Sequence, residues 1–256
     1  MKKLTTLLAA FIFTAGMAFA QNNDATVDQT GDDNEAQVDQ VISNGATVNL
    51  SQTENGSGSS FADIDQTGGA NLTNLNQIGN NSATIDQEGK HTVAGFNSNF
   101  NNGVDQIPAL QENTGGDQNV LNVTQRNNFS QVRVDQVGGG NTIDVFQGGG
   151  ISNVAKLNQL GDNNNMDISL VGSINRVEIQ QLGVGSHTAY VDVSGDANNV
   201  TRNGQSKIMQ DGELHFTDVM ITGNDNAYVV NQTGFSHTAN VTVMGNNNSS
   251  TITQSN

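Results

Sequence analysis

A glutamine returns along this chain every eleven residues, and no other feature restricts so tightly what the chain can fold into. Positions 29 and 40, 66 and 77, 125 and 136, and then 210, 221, 232, 243 and 254 are eleven apart, with Ile221 and Val243 standing in the glutamine slot. Other steps are ten or twelve, apart from three longer breaks. The unit reads Gln-x-Gly-x-x-Asn-x-Ala-x-x-x-Gln, as in Gln29, Gly31, Asn34, Ala36 and Gln40, and it recurs with drift from Gln66, Gln136, Gln159 and Gln232. Within the unit Ala36, Val38 and Gln40 share one face and Glu35, Gln37 and Asp39 the other, the period of two that marks a half-buried strand. Glycine two places past the anchor, as at Gly31, Gly138 and Gly212, permits the positive φ of a tight turn. The asparagine that follows suits the turn's exit. Strand, turn, strand, turn makes a coil of about 22 residues, too small to bury its own apolar face, so coils must stack about 4.8 Å apart. The pattern predicts an all-β domain over residues 21–256, a two-sheet β-solenoid of about ten strand-turn-strand coils.

Assigning alternate anchors to two sheets gives two columns. One reads Gln40, Gln66, Gln87, Gln136, Gln159, Gln181, Gln210, Gln232 and Gln254, and the other Gln29, Leu50, Gln77, Ser98, Gln125, Gln147, Leu170, Val193, Ile221 and Val243. The first is glutamine at every assignable level, which predicts an amide-to-amide ladder along the axis. Each such bond nets about 1 kcal/mol, whereas a buried amide left unpaired costs about 1–3 kcal/mol, so the column rewards in-register stacking. The assignment places two insertions, around 55–59 and 198–203, on one edge of the solenoid. The stretch 97–117, with Pro108, conceals one strand anchored on Gln106 or Gln111.

Repeats start near Asn23, and the last anchor, Gln254, lies two residues from the end of the sequence. Val27 and Gln29 match Ile252 and Gln254 in phase. Matching strand edges at opposite ends form a heterologous contact that does not close, and such contacts build filaments. End-to-end assembly through these four residues is therefore expected. The acids just before anchors (Asp28, Asp39, Asp65, Asp86, Asp135 and Asp192) read as a solvated face. The alternative is gatekeeping, in which stacked like charge slows assembly.

Residues 1–20 read as a secretory leader: Lys2 and Lys3, a short apolar run from Leu4 to Met17, and Ala18-Phe19-Ala20 as the cleavage site. Cleavage after Ala20 leaves seven bases against 25 acids, a net charge of −18. That charge argues against nucleic acid and anionic membranes as partners, and no later stretch is apolar for long enough to make a transmembrane helix. The chain contains no cysteine, so neither disulfides nor thiolate metal sites stabilise it.

Little in the sequence points to catalysis. Bases outside the leader are few, with Arg126 and Arg133 a near pair, no nucleophile–base constellation or phosphate loop appears, and Gly138-Gly139-Gly140-Asn141 lacks the aspartates of a calcium nonapeptide. No enzyme activity and no cofactor are expected. His187, His215 and His237 all take the asparagine slot, six before Val193, Ile221 and Val243, and should stack in one column. They read as replacement turn-exit residues, or alternatively as a weak candidate for a metal-binding or pH-sensing ladder.

These residues resemble the curlin repeat, Ser-x5-Gln-x-Gly-x2-Asn-x-Ala-x3-Gln, of curli fibre subunits; Gln29, Gly31, Asn34, Ala36 and Gln40 match its Gln-to-Gln part at every specified position. The likeness covers nearly all of residues 21–256, with about twice the family's usual five repeats and without its export segment after the leader. It implies a secreted amyloid subunit of a biofilm matrix that works in adhesion and cell aggregation at the cell surface. The implied partners are other copies of itself, a nucleating subunit and an outer-membrane secretion apparatus. The competing expectation is a monomeric or surface-tethered β-solenoid adhesin, or a fibre nucleator.

Overall fold

The computed structural model describes residues 22–56, 58–94, 109–198 and 208–256. The expected leader, Ser98, Gln106 and Pro108 lie outside them. The described residues form strands and turns with no helix. The strand pairs of the described residues are all parallel, and a residue typically sits beside one about 23 positions further on, as in Asp24 beside Thr47 and Ala155 beside Val177. The chain is a parallel β-solenoid with two strands per turn.

Sheet one begins with Asp24–Thr30, Thr47–Thr53 and Leu72–Ile78 and ends with Ile208–Glu213, Ala227–Phe235 and Ser249–Ser255. Sheet two runs from Glu35–Asn44 and Phe61–Gly69 to Phe216–Thr222 and Thr238–Met244. Two departures from one strand per rung occur in the middle. Lys90–Ala94 and Ala109–Asn113 together make a single rung, because both lie on Leu72–Ile78. The long strand Asn119–Gly138 turns a corner: Gln125 pairs with Gln87 in sheet two, and Gln136 pairs with Gln111 in sheet one. The anchor of the interrupted rung is thus Gln111.

The strands that flank the two insertions are joined in opposite directions, while residues 199–203 of the second insertion lie outside the described residues. Thr47–Thr53 of sheet one leads across the first to Phe61–Gly69 of sheet two, whereas Thr188–Ser194 of sheet two leads across the second to Ile208–Glu213 of sheet one. The two crossings therefore run in opposite senses, not in one sense as the alternate-anchor assignment has them, because the interrupted strand counts as one rung rather than two.

The alternation of the sequence becomes the alternation of burial. In Val154–Leu160, Ala155, Leu157 and Gln159 face the interior, while Lys156, Asn158 and Leu160 face out. The inward residues of both sheets make one continuous core, including Ile64, Leu75, Ile85, Leu121, Leu157, Ile168 and Ile179, all at most 1 % exposed. Burying such a side chain contributes about 1.5–3 kcal/mol. No coil closes that core without the next.

The corners use left-handed backbone twice. Gly161 and Gly212 have φ of 118° and 128°, and a side chain there would run into the carbonyl oxygens of Gly183 and Gly234 on the neighbouring turn. The residue directly before the turn-exit asparagine or histidine is also left-handed, from Asp33 (φ 59°) through Ile174 (60°) to Asn247 (58°). Gly212→Ala is expected to cost about 1–3 kcal/mol, measured by equilibrium urea unfolding, because it adds backbone strain and a steric clash. Gly56→Ala, where φ is also positive but nothing lies within 4 Å, should cost less.

Candidate assembly interface

The inward end of each sheet-one strand carries a glutamine. Gln29, Gln52, Gln77, Gln111, Gln136, Gln159, Gln181, Gln210, Gln232 and Gln254 form one unbroken column. Each Nε2 donates to the Oε1 of the next glutamine, at 2.7 Å from Gln29 to Gln52, 3.0 Å from Gln159 to Gln181 and 2.9 Å from Gln232 to Gln254. The second amide hydrogen crosses the interior. Gln159 Nε2 lies 3.0 Å from the Thr142 carbonyl, Gln181 Nε2 3.0 Å from that of Asn165, and Gln254 Nε2 2.9 Å from that of Thr238. From Gln52 to Gln232 each amide therefore ties its own sheet along the axis and clips it to the preceding strand of the other sheet.

Column membership differs from the sequence-based assignment. Gln40, Gln66 and Gln87 do not stack with Gln136 and its successors; they stand in sheet two with Gln125 and Gln147, bonded at 2.8–3.0 Å. Above Gln147 that column continues as Leu170, Val193, Ile221 and Val243. Counting one strand too many across the interrupted rung exchanged the columns on its N-terminal side. Leu50 is a core residue two places before the true anchor, Gln52, and both positions face inward, so alternation alone does not distinguish them.

A second ladder runs down each corner. Asn141 Oδ1 accepts the Asn164 N–H at 2.9 Å, and Asn175 Oδ1 accepts the Asn198 N–H at 3.0 Å. Their side-chain amides donate to the Gly161 and Gly195 carbonyls at 2.7 and 2.8 Å. Asn141 and Asn175 are fully buried and their polar atoms are all used, which is why the slot is so often asparagine.

In the sheet-two corner the slot changes to histidine. His187, His215 and His237 stack with ring centroids 5.0 and 5.2 Å apart and planes within 8°. Each Nε2 lies within hydrogen-bond reach of a carbonyl of its own turn: Leu182 at 2.9 Å, Asp211 at 3.1 Å and Thr233 at 3.0 Å. The Nδ1 atoms of His187 and His215 accept the N–H of the next histidine at 3.3 and 3.2 Å. Both nitrogens of His187 and His215 are thus engaged, and the described residues contain no group of three or more His, Cys, Asp or Glu side chains placed to hold a metal ion.

Val27, Gln29, Ile252 and Gln254 all lie in sheet one, half-buried on its two outermost described rungs. Among the described residues, Asp24–Thr30 pairs only with Thr47–Thr53, and Ser249–Ser255 only with Ala227–Phe235. The facing positions are alike: Ala25, Val27 and Gln29 at one end, and Ser250, Ile252 and Gln254 at the other. The outermost rungs of sheet two differ, with Gln40 at one and Val243 at the other.

The acids are unequally shared. Asp39, Asp65 and Asp86 occupy the same outward position on three successive rungs of sheet two, with Arg126 3.6 Å from Asp86. Partial burial and then repulsion from Asp63, Asp39 and Asp86 push the Asp65 carboxyl above its ordinary value. Asp167 is pushed up in the same way, by burial and then by Asp144 and Asp192. No protein-family model matches the chain, and no curated protein matches it.

Two measurements probe these ladders. Gln159→Ala leaves the Gln136 amide and the Gln181 carbonyl without their axial partners, and a loss of about 2–4 kcal/mol in urea unfolding is expected. Gln254→Ala on the half-buried outer rung should cost less than half of that. Asp65→Asn is expected to raise stability at pH 7. Its carboxyl is easier to protonate folded than unfolded, so repulsion grows as pH rises through the unfolded value of 3.8. Thermal unfolding at pH 7 and pH 3 should show the gain at pH 7 and little at pH 3.

Proposed function

We propose that the chain is a secreted structural subunit that assembles end to end into extracellular fibres of the curli type, serving as matrix and adhesive in cell aggregates. The observation that carries this reading is the unbroken glutamine column of sheet one, whose two outermost described rungs present similar side-chain series, each ending in glutamine, on edges unpaired among the described residues. A strand edge is a template for the next strand. A second molecule whose Asp24–Thr30 lies on Ser249–Ser255 would continue both the backbone ladder and the amide ladder. The resemblance of the Gln-x-Gly-x-x-Asn unit to the curlin repeat supports the same reading. Rows of stacked acids on sheet two keep separate molecules from pairing face to face, which favours growth along the axis.

A second reading, a surface-tethered solenoid that nucleates fibres of another chain, draws on the unlike outer rungs of sheet two, Gln40 against Val243. The two readings separate on the purified chain from Gln21. A fibre subunit forms filaments by electron microscopy and gives reflections near 4.7–4.8 Å and about 10 Å; a chain that remains as single particles on sizing for days overturns the proposal. Val27→Lys and Ile252→Lys place a charge where the junction would bury it. Each is expected to lengthen the assembly lag at least about tenfold, against less than about threefold for outward-facing Thr251→Lys.

A further inference from the structure

The imidazole stack has a chemistry that asparagine at the same corner lacks. Each Nδ1 of His187 and His215 works as an acceptor for a backbone N–H one rung away, and an imidazole does so only while that nitrogen carries no proton. Acid adds the proton at the atom toward which the backbone N–H already points. Both inter-rung bonds then become donor against donor, and like charges come to lie 5.0 and 5.2 Å apart in parallel planes. We propose that His187, His215 and His237 form an acid-sensitive clasp: neutral, they hold the sheet-two corners of Thr188–Ser194, Phe216–Thr222 and Thr238–Met244 together, and protonation releases those corners.

The surroundings set where the clasp acts. His187 and His215 are buried, His187 fully. Burial foremost, and then the neighbouring ring, hold both imidazoles below the ordinary value of 6.5, against the pull of the turn carbonyls and of Asp211. The charged side chains on the turns packed around the stack are Asp162 beneath His187, and Asp211 and Glu213 on the middle turn. The unfolded chain takes up protons near 6.5 before the folded chain does, so the clasp is complete above about pH 6.5 and weakens as pH falls below it. The carboxylates raised in the fold, Asp65 and Asp167, act at lower pH and with the opposite sign.

The chain supplies its own control. Asn164 Oδ1 already accepts the His187 N–H at 3.0 Å from the same slot one rung below, so asparagine in place of histidine keeps the inter-rung bond and removes the titration. Native-state hydrogen exchange of the chain from Gln21 tests the clasp in whichever state it is purified, since monomer and filament alike contain the stack. Between pH 7.5 and 5.5, after correction for intrinsic rates, protection over Thr188–Ser194, Phe216–Thr222 and Thr238–Met244 is expected to fall at least about tenfold relative to Asn81–Glu88. In His187→Asn/His215→Asn/His237→Asn it should change less than about threefold. Unchanged protection in the parent chain, or the same fall in the triple variant, overturns the proposal. Should the triple variant fail to fold, His215→Asn alone interrupts the stack at its centre, and a fall in that variant as large as the parent's overturns the proposal equally.

Discussion

The amide ladder of sheet one is the constraint on which the rest of the structure depends. Ten glutamines face the interior; from Gln29 to Gln232 each has an amide hydrogen bonded along the axis, and over much of the column another is bonded across to the opposite sheet. A slip of one residue would turn every inward side chain outward. A slip of two would keep the faces but set amides against aliphatic groups, and a buried amide without a partner costs more than a paired one contributes. Register is thus held by a penalty repeated at every level.

The corners depend on that register. Turn glycines lie so close to the next turn that a Cβ would meet its carbonyl oxygen, and the asparagine or histidine at each exit bonds to the backbone one rung away. Neither arrangement exists in an isolated coil. The coil, too small to hold a core, is completed only by its neighbour, and the side chains that complete it are polar as well as apolar. A chain that is 34 % hydrophobic can therefore sustain an ordered interior.

The two sheets divide the work. Sheet one is amide-lined from its first described rung to its last, whereas sheet two changes from glutamine to Leu170, Val193, Ile221 and Val243, over the same rungs where its corner changes from Asn164 to the histidine stack. Similar ends and a uniform ladder belong to sheet one alone, and the proposed end-to-end assembly rests on them. The half-buried outer strands Asp24–Thr30 and Ser249–Ser255, with one neighbour each among the described residues, are where opening requires least free energy.

Much of this was legible in the amino-acid order, because it is local. The eleven-residue interval, the alternation of Ala36, Val38 and Gln40 with polar neighbours, and the glycine that recurs two places past the anchor are enough to establish a stacked strand-turn solenoid. The equal distance of His187, His215 and His237 from their anchors is enough to place them in one column. What remained for the tertiary structure was global. Whether Gln87 stacks with Gln125 or Gln136 depends on how many rungs lie between them, and one interrupted strand, Lys90–Ala94 with Ala109–Asn113, reverses the answer for every anchor before it. Leu50 and Gln52 have the same parity, so only pairing with Gln29 and Gln77 selects the anchor. The second left-handed turn position is filled by residues as unlike as Asp33, Ile174 and Leu214 and so leaves no compositional trace, because stacking on the next turn, rather than the residue's own preference, imposes its φ.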